Sequence, residues 1–342
     1  MTLSALFRNP FGSRSANVPL IGTTPKLDVS DAPPDVRRLI RDHQYFHVLA
    51  PTDGVDYDDV SIACAWRAVE HEMALVPQGD TQLRNETASA AHGEVSIDPD
   101  DISTVTVDAC YIDRTAVTNA QYHRFVQAGC YTDADLWPED ILPMVLQFVD
   151  QSGRPGPRTW DGGEPSKDML DHPVIGISWY EANAYAKWIG KRLPTSAEWQ
   201  RSATWSRNLG NATTEVRYPW GNSFDGTKAN LWASGIRTTV PVTEYASGDT
   251  ANGVRQLVGN VWEWVNTQYF VSGVDGVQVF MEDSMGEIRG GAFDTYFRSQ
   301  ATNQFRTGQP LTCRRPNLGF RCCRGLEDLA AKTETIGTGD AS

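Results

Sequence analysis

Apolar positions along this chain fall into short, changing periods rather than one sustained repeat. The first thirty or so residues, punctuated by Pro, Ser, Thr and Gly, predict an extended arm. Pro33-Pro34-Asp35 then opens a short helix with Val36, Leu39 and Ile40 on one face. Val60, Ile62, Trp66, Val69 and Met73 form a second apolar pattern whose period is ambiguous between helix and strand. From Ala74 the texture changes. Residues 74–79 read as a strand, 83–101 as a polar loop, and Thr104–Ile112 as an alternating strand with Val105, Val107 and Ala109 on one face. Thr118-Asn119 precedes a helix that carries Tyr122, Phe125 and Val126 and stops at Gly129. Residues 130–172 hold many turn formers and little periodicity, which predicts a functional loop or an insertion.

The sharpest local signals are two capping boxes. In Ser178-Trp-Tyr-Glu181 the hydroxyl and the carboxylate satisfy amides that a helix start leaves unpaired. A helix over Trp179–Ile189 follows, with Ala182, Tyr185, Ala186 and Ile189 inward and Gly190 as its stop. Thr195-Ser-Ala-Glu198 repeats the device and starts a second helix through Trp199. After residue 205 short strands and turns dominate, and the Thr-, Gly- and Ala-rich tail from Glu327 predicts disorder. The expected organisation is an N-terminal arm or extension over 1–70, one domain over 71–325, and a tail over 326–342.

Composition sharpens this. With 342 residues, 40% of them hydrophobic, the chain can bury a sizeable core. Eleven Trp, 29 Gly and 19 Pro point to a loop-rich fold in which large rings replace regular layers. The net charge of −13, with no dense Lys/Arg block, argues against nucleic acid and anionic membrane as partners. No apolar run approaches the roughly 20 residues that cross a bilayer, and the N-terminus lacks a secretory core. The expectation is a soluble cytoplasmic protein, with leaderless export left open. The six cysteines are scattered without a Cys-x-x-Cys, so reduced, mostly buried thiols are expected, with Cys322 and Cys323 on opposite faces of a strand.

Six ordered blocks carry a resemblance. They are residues 117–122, the run from Val174 to Trp199, Tyr218–Asn222, Leu257–Trp264, Arg289-Gly-Gly291 and Leu318–Arg321. Together they resemble the formylglycine-generating enzyme, or sulfatase-modifying factor, family. The resemblance implies an α+β fold, a variant of the C-type lectin fold with low regular secondary structure, here with a short N-terminal extension. Trp179, Trp188, Trp199 and Trp264 read as structural rather than functional.

The founding enzyme oxidises a substrate cysteine with copper held by two cysteines downstream of Gly-Gly. In this chain those positions fall near Thr295 and Gln300, or Ala301 if a gap is allowed, and Ala292 replaces a serine. Hydroxyl and amide oxygens are hard ligands, so neither copper nor the formylglycine reaction is expected. A branch of the family resembling iron-dependent sulfoxide synthases uses three histidines from a helical domain. His43-Gln-Tyr-Phe-His47 has the i,i+4 spacing, but the extension of about 70 residues is too short for that domain, and a surface or capping pair is the preferred reading. The family also implies calcium through Gln256, Gly259, Val261 and Glu263, with a second site beginning at Asn230 and Leu231. The plain alternative for Glu263 is capping of backbone amides.

What remains is a groove flanked by Trp262 and the segment 292–316. Phe293, Asp294, Thr295, Tyr296, Phe297, Arg298, Gln300 and Arg306 supply the mixture of rings, guanidinium and small polar groups that suits recognition. The plain alternative is that Arg298, Arg306 and Arg321 brace loops. The leading expectation is a non-catalytic recognition or assembly protein for a protein, peptide or small ligand, tethered to a larger complex through residues 1–70. The alternatives are an oxidoreductase or other modifying enzyme of this family with a metal site not evident in the sequence, and a retroelement-diversified binding protein.

Overall fold

The structure, a computed structural model, describes residues 27–51, 54–88, 95–205, 216–272, 278–279, 284–326 and 328. Most of the predicted arm and tail lie outside the described residues. In chain order the helices are α1 (Pro34–Arg41), α2 (Phe46–Leu49), α3 (Asp59–Glu72), α4 (Asn119–Gln127), α5 (Leu142–Val145), α6 (Trp179–Trp188) and α7 (Ser196–Thr204). The strands are β1 (Met73–Val76), β2 (Gly79–Ala88), β3 (Val95–Val107), β4 (Cys110–Asp113), β5 (Trp262–Gln268), β6 (Val271–Ser272), β7 (Gln278–Val279), β8 (Met285–Arg289), β9 (Arg306–Pro310), β10 (Leu318–Phe320) and β11 (Cys323–Gly325). Among the described residues no helix is long and apolar enough to cross a membrane.

Four helices start at a side chain that accepts from their first turn: Asp58 for α3, Thr118 for α4, Ser178 for α6 and Thr195 for α7. The last three are full capping boxes, closed by Gln121, Glu181 and Glu198. Helix α3 resolves the ambiguous second pattern as helical. It buries Cys64, Ala65, Ala68 and Val69 together with Trp66, while Val60 stays exposed.

Two sheets organise the domain. One runs β1-β4-β11, antiparallel throughout; the other runs β10-β5-β8-β9, with β10 parallel to β5. Cys322 and Cys323 point into two different core clusters, one with Tyr185 and one with Trp199. Three expectations need correction. Residues 83–101 are largely the pairing β2–β3 hairpin, because a backbone ladder needs no apolar alternation. The strand expected over 104–112 is two strands, β3 and β4, in different sheets. Residues 130–172 help build the core: Trp137, Ile141, Val145, Phe148 and Trp160 join Tyr122, Phe125 and Tyr185 in one cluster. Arg314 holds that stretch by donating to Val149 O and Gly156 O while its guanidinium faces Glu181 at 2.9 Å. Burial pushes the Glu181 carboxyl up, and Arg314 only partly opposes this.

The N-terminal residues have a core of their own. Ala32, Val36, Ile40, Val48 and Leu49 pack on Trp66, Val69 and Met73, closing against Tyr111 of β4. This unit docks on the end of α6. Gly190, at φ 68°, lies so close to Phe46 that a Cβ there would sit 1.7 Å from the ring. The Arg324 guanidinium covers the same ring at 5.4 Å, and Gln44 Nε2 and Arg124 Nη1 donate across the junction to Trp188 O and Arg41 O. Residues 28–50 are therefore seated on this chain's own domain.

His43 does not share a helix face with His47, contrary to what the i,i+4 spacing offered. It occupies a left-handed turn (φ 60°) ahead of α2, while His47 lies within α2 with its ring 3.7 Å from Phe46. Nor is His43 at the surface: its Nδ1 sits 2.7 Å from Glu72, and Tyr45 donates its hydroxyl to the same carboxylate. Burial opposes the Glu72 charge, but the His43 and Tyr45 contacts outweigh it and hold the carboxyl down at about 2, against an ordinary 4.5. A depressed folded value stabilises above 4.5 and is lost as pH falls through 2. Glu72→Gln should therefore cost stability at neutral pH, with the gap to wild type closing as urea unfolding is repeated from pH 4.5 toward 2. A gap constant across that range would refute the assignment. Because the Glu72 side chain is 39% exposed, solvent screening keeps the effect modest.

Candidate functional site

The site is built on the turn that ends β8. Arg289 is fully buried, paired with Glu287 at 3.3 Å and donating to Gln200 and to Asn303 O. The chain then turns through Gly290, whose φ of 95° and 2.5 Å approach of any Cβ to Leu257 O exclude a side chain. Gly291 lies against both Thr295 Oγ1 and Ala301, so these two positions flank it while Gln300 points elsewhere. Thr295 Oγ1 already accepts from Ala292 N at 2.8 Å, and Ala301 contributes a buried methyl. A hydroxyl and a methyl do not fit a Cu(I) grip.

Beside this turn lies a cleft of about 210 Å³, built on one face of the second sheet. Trp262 of β5, Ile288 of β8 and Leu318 of β10 form its apolar floor with Phe305, whose ring centroid is 6.0 Å from that of Trp262. Strand register puts them together: Leu318 pairs with Trp262, and Ile288 with Thr307. The polar rim is Gln300, Thr307, Gln309, Asn317 and Arg315, and among the described residues no carboxylate lines it. Asn317 is held by two bonds from its Nδ2 to Asp294, at 2.9 and 3.1 Å. Arg315 has no carboxylate partner among the described residues. Cys313, whose thiol donates to Gln309 Oε1 at 3.6 Å, stands behind the rim; the other five cysteines are buried.

Of the expected ligand-binding residues, Trp262 and Gln300 line this cleft and Asp294 reaches it through Asn317. Thr295 lies beneath, in the glycine turn, and Phe293 is half-buried with its amide on Asn260 O. Tyr296, Phe297 and Arg298 face outward on a separate ridge. Arg306 turns to the opposite face of β9, 3.4 Å from Glu287. Ile288, Asn317 and Leu318 lie outside the segment expected to flank the groove, and Phe305, Thr307, Gln309 and Arg315 lie within it without having been singled out. The period-two run Phe305, Thr307, Gln309 is the signal that places three of them on one strand face.

Several of the residues considered for calcium have polar partners within the chain. Both Glu263 oxygens accept from Arg321, at 2.8 and 2.7 Å, and one also accepts from Trp199 Nε1. The charge beside this carboxylate is a guanidinium, which corrects the reading of Glu263 as a cap for backbone amides. Gln256 turns its Nε2 to Pro241 O and Glu244 O, and its oxygen accepts from Asn260. Gly259 O accepts from Val261 N. Asn230 bonds Thr238 O, Asn260 and Ser234, and Leu231 O accepts from Ser234. Among the described residues no group of three His, Cys, Asp or Glu side chains converges as a metal site. Among the described residues the groups present fit neither the copper pair nor the three-histidine iron set, and the Arg321 guanidinium lies beside Glu263.

Comparison with known proteins agrees with this scaffold. Residues 62–326 match the model of the sulfatase-modifying factor enzyme 1-like domain. A Bos taurus protein named inactive C-alpha-formylglycine-generating enzyme 2 is 30% identical over 288 residues, covering 74% of this chain and 88% of its own length. The hercynine oxygenase of Mycobacterium tuberculosis is 35% identical over 172 residues, which is 48% of this chain and 39% of that enzyme. The chain thus spans well under half the length of that relative. Among solved structures, PvdO from Pseudomonas aeruginosa superposes with a TM-score of 0.50 at 22% identity, covering 74% of this chain and 94% of its own. CarF does so with 0.50 at 21%, covering 75% and 98%. These two likenesses show the fold: α+β, of the formylglycine-generating-enzyme and C-type-lectin-like kind. On the match over 62–326 and the fold it accompanies, the chain belongs to the sulfatase-modifying factor enzyme 1-like domain family.

Proposed function

We propose that this domain recognises a polypeptide segment and seats one of its side chains in the Trp262 cleft. The observation that carries this reading is the lining: an apolar floor of two rings and two aliphatic chains beneath a rim of three side-chain amides, a hydroxyl and one guanidinium. A volume of about 210 Å³ is below the roughly 300–1,000 Å³ of pockets for drug-sized ligands, and suits a single side chain with its flanking amides. Amide groups at the rim can both donate to and accept from a peptide backbone.

The test is selection of a random dodecapeptide library on the full chain, followed by affinity measurement on the selected peptides. Trp262→Ala should weaken binding by about 30-fold, the scale of an aromatic hot spot. Because Trp262 is 8% exposed and also packs the core, Trp262→Phe and Gln309→Ala serve as milder variants. Unchanged affinity in all three would end this reading.

A second reading treats the same cleft as the substrate site of a modifying enzyme. The comparisons favour it over pure recognition, because the hercynine oxygenase and the formylglycine-generating enzyme of Thermomonospora curvata, 30% identical over 226 residues, are both named as enzymes. The Bos taurus relative, named inactive, supports recognition instead. Copper or iron retained in stoichiometric amount after dialysis, with a mass change in a selected peptide, would support the enzyme.

A further inference from the structure

The loop that walls the cleft carries a second surface on its outer side. Tyr296 (68% exposed) and Phe297 (42%) stand at right angles with centroids 5.3 Å apart, and Trp232 (41%) meets Tyr296 edge-on at 6.2 Å. Trp232 N donates to Thr295 O, tying the two loops together. The Arg237 guanidinium lies over the Trp232 ring at 3.1 Å, and that of Arg298 over Phe224 at 4.5 Å. Both arginines are exposed, and neither has a carboxylate partner among the described residues. Arg289, Arg306, Arg314 and Arg321, by contrast, are each held by a buried glutamate. The ridge reaches the cleft directly, since Arg298–Gln300 form one short turn and Gln300 lines the cleft.

We propose that this ridge docks the acidic flank of the same polypeptide, with carboxylates meeting Arg237 and Arg298 on either side of an apolar residue placed on Tyr296 and Phe297. The inference rests on the cleft as a polypeptide site. A guanidinium over a ring, with no carboxylate partner, keeps N–H groups available to a carboxylate met two bonds at a time. Rings left exposed beside such cations give contact area at low entropic cost. The chain's charge of −13 sets the class of partner. A nucleic acid or polyanionic sugar is repelled by the whole field, whereas a short segment with a few carboxylates meets mainly the local cations.

The library selected on wild type and on the double variant R237E/R298E decides the matter. The wild-type pool should be enriched in Asp and Glu beside the anchored residue. R237E/R298E should lose that enrichment and bind the selected acidic peptides roughly tenfold more weakly, with the difference shrinking as salt rises. Both side chains are exposed, so the variant should unfold at the wild-type temperature. The inference is overturned by a wild-type pool without acidic enrichment, or by one that R237E/R298E leaves unchanged. Tighter binding of heparin or an oligonucleotide than of the acidic peptides also overturns it, as does self-association in the ultracentrifuge that R237E/R298E abolishes. If Trp262→Phe and Gln309→Ala alter the pool and R237E/R298E does not, the ridge fails and the cleft stands. If no variant alters it, both fail.

Discussion

Replacing Arg321 with methionine is expected to destabilise the chain by about 3–5 kcal/mol, the cost of leaving a buried charge without its partner. Arg321 is fully buried and forms a bidentate pair with Glu263. Its remaining N–H groups donate to Asp113 O, Arg114 O and Arg255 O. One guanidinium thus joins the end of β4, the loop before β5 and β5 itself. In Arg321→Met the Glu263 carboxylate keeps the Trp199 indole as a donor, and Asp113 O, Arg114 O and Arg255 O lose the guanidinium, although Arg114 O still accepts from Arg255 N. The double variant E263Q/R321M should be less destabilised than R321M alone, because it removes the buried charge along with its partner. Urea unfolding of the three proteins measures both effects. A single variant within about 1 kcal/mol of wild type would show that the pair contributes little.

The second large effect is expected at Gly190→Ala. The residue adopts φ 68°, which costs an L side chain about 1 kcal/mol. The new methyl would also collide with Phe46, so the ring must leave or the N-terminal unit must lift, adding about 1–3 kcal/mol. The total of about 2–4 kcal/mol falls on one junction rather than on the whole core. Amide hydrogen exchange should therefore quicken over residues 34–49 before it does in the second sheet. Measured against Phe46→Ala alone, adding Gly190→Ala should cost mainly the backbone term, because the collision is gone. Unaltered protection over 34–49 in Gly190→Ala would show that the docking of α1 and α2 does not depend on this contact.

Both predictions concern buried links that join distant parts of the chain, and this marks the limit of what could be read from residue order. The capping boxes at Ser178 and Thr195 were legible because a cap is a contact between residues three apart. The family was legible because its blocks keep their order and their glycines. The lack of a cysteine pair after Gly290-Gly291 was equally plain. The β2–β3 hairpin was not, because its ladder is made by backbone groups and the sequence over 83–88 and 98–101 carries no apolar alternation. The core role of residues 130–172 was hidden for a related reason: their rings are spaced by turns rather than by a helical or strand period, and find each other only after folding.

The candidate site divides in the same way. Trp262 and Gln300 could be placed by their motifs, and Tyr296, Phe297 and Arg298 by the mixture of rings and charge. Which of them shares a cavity is a matter of long-range register. Leu318 reaches Trp262 because β10 runs parallel to β5, and Thr307 reaches Ile288 because β9 pairs with β8. Glu263 faces Arg321 across 58 residues, a pairing that residue order does not show. Residue order by itself determined the scaffold, its helix starts and the absence of copper-binding thiols, since each depends on residue type or on neighbours a few positions apart. Tertiary structure alone decided which side chains line the cleft, which stand on the ridge and which are consumed in buried pairs, because those outcomes depend on strand register and on contacts between segments far apart in the chain.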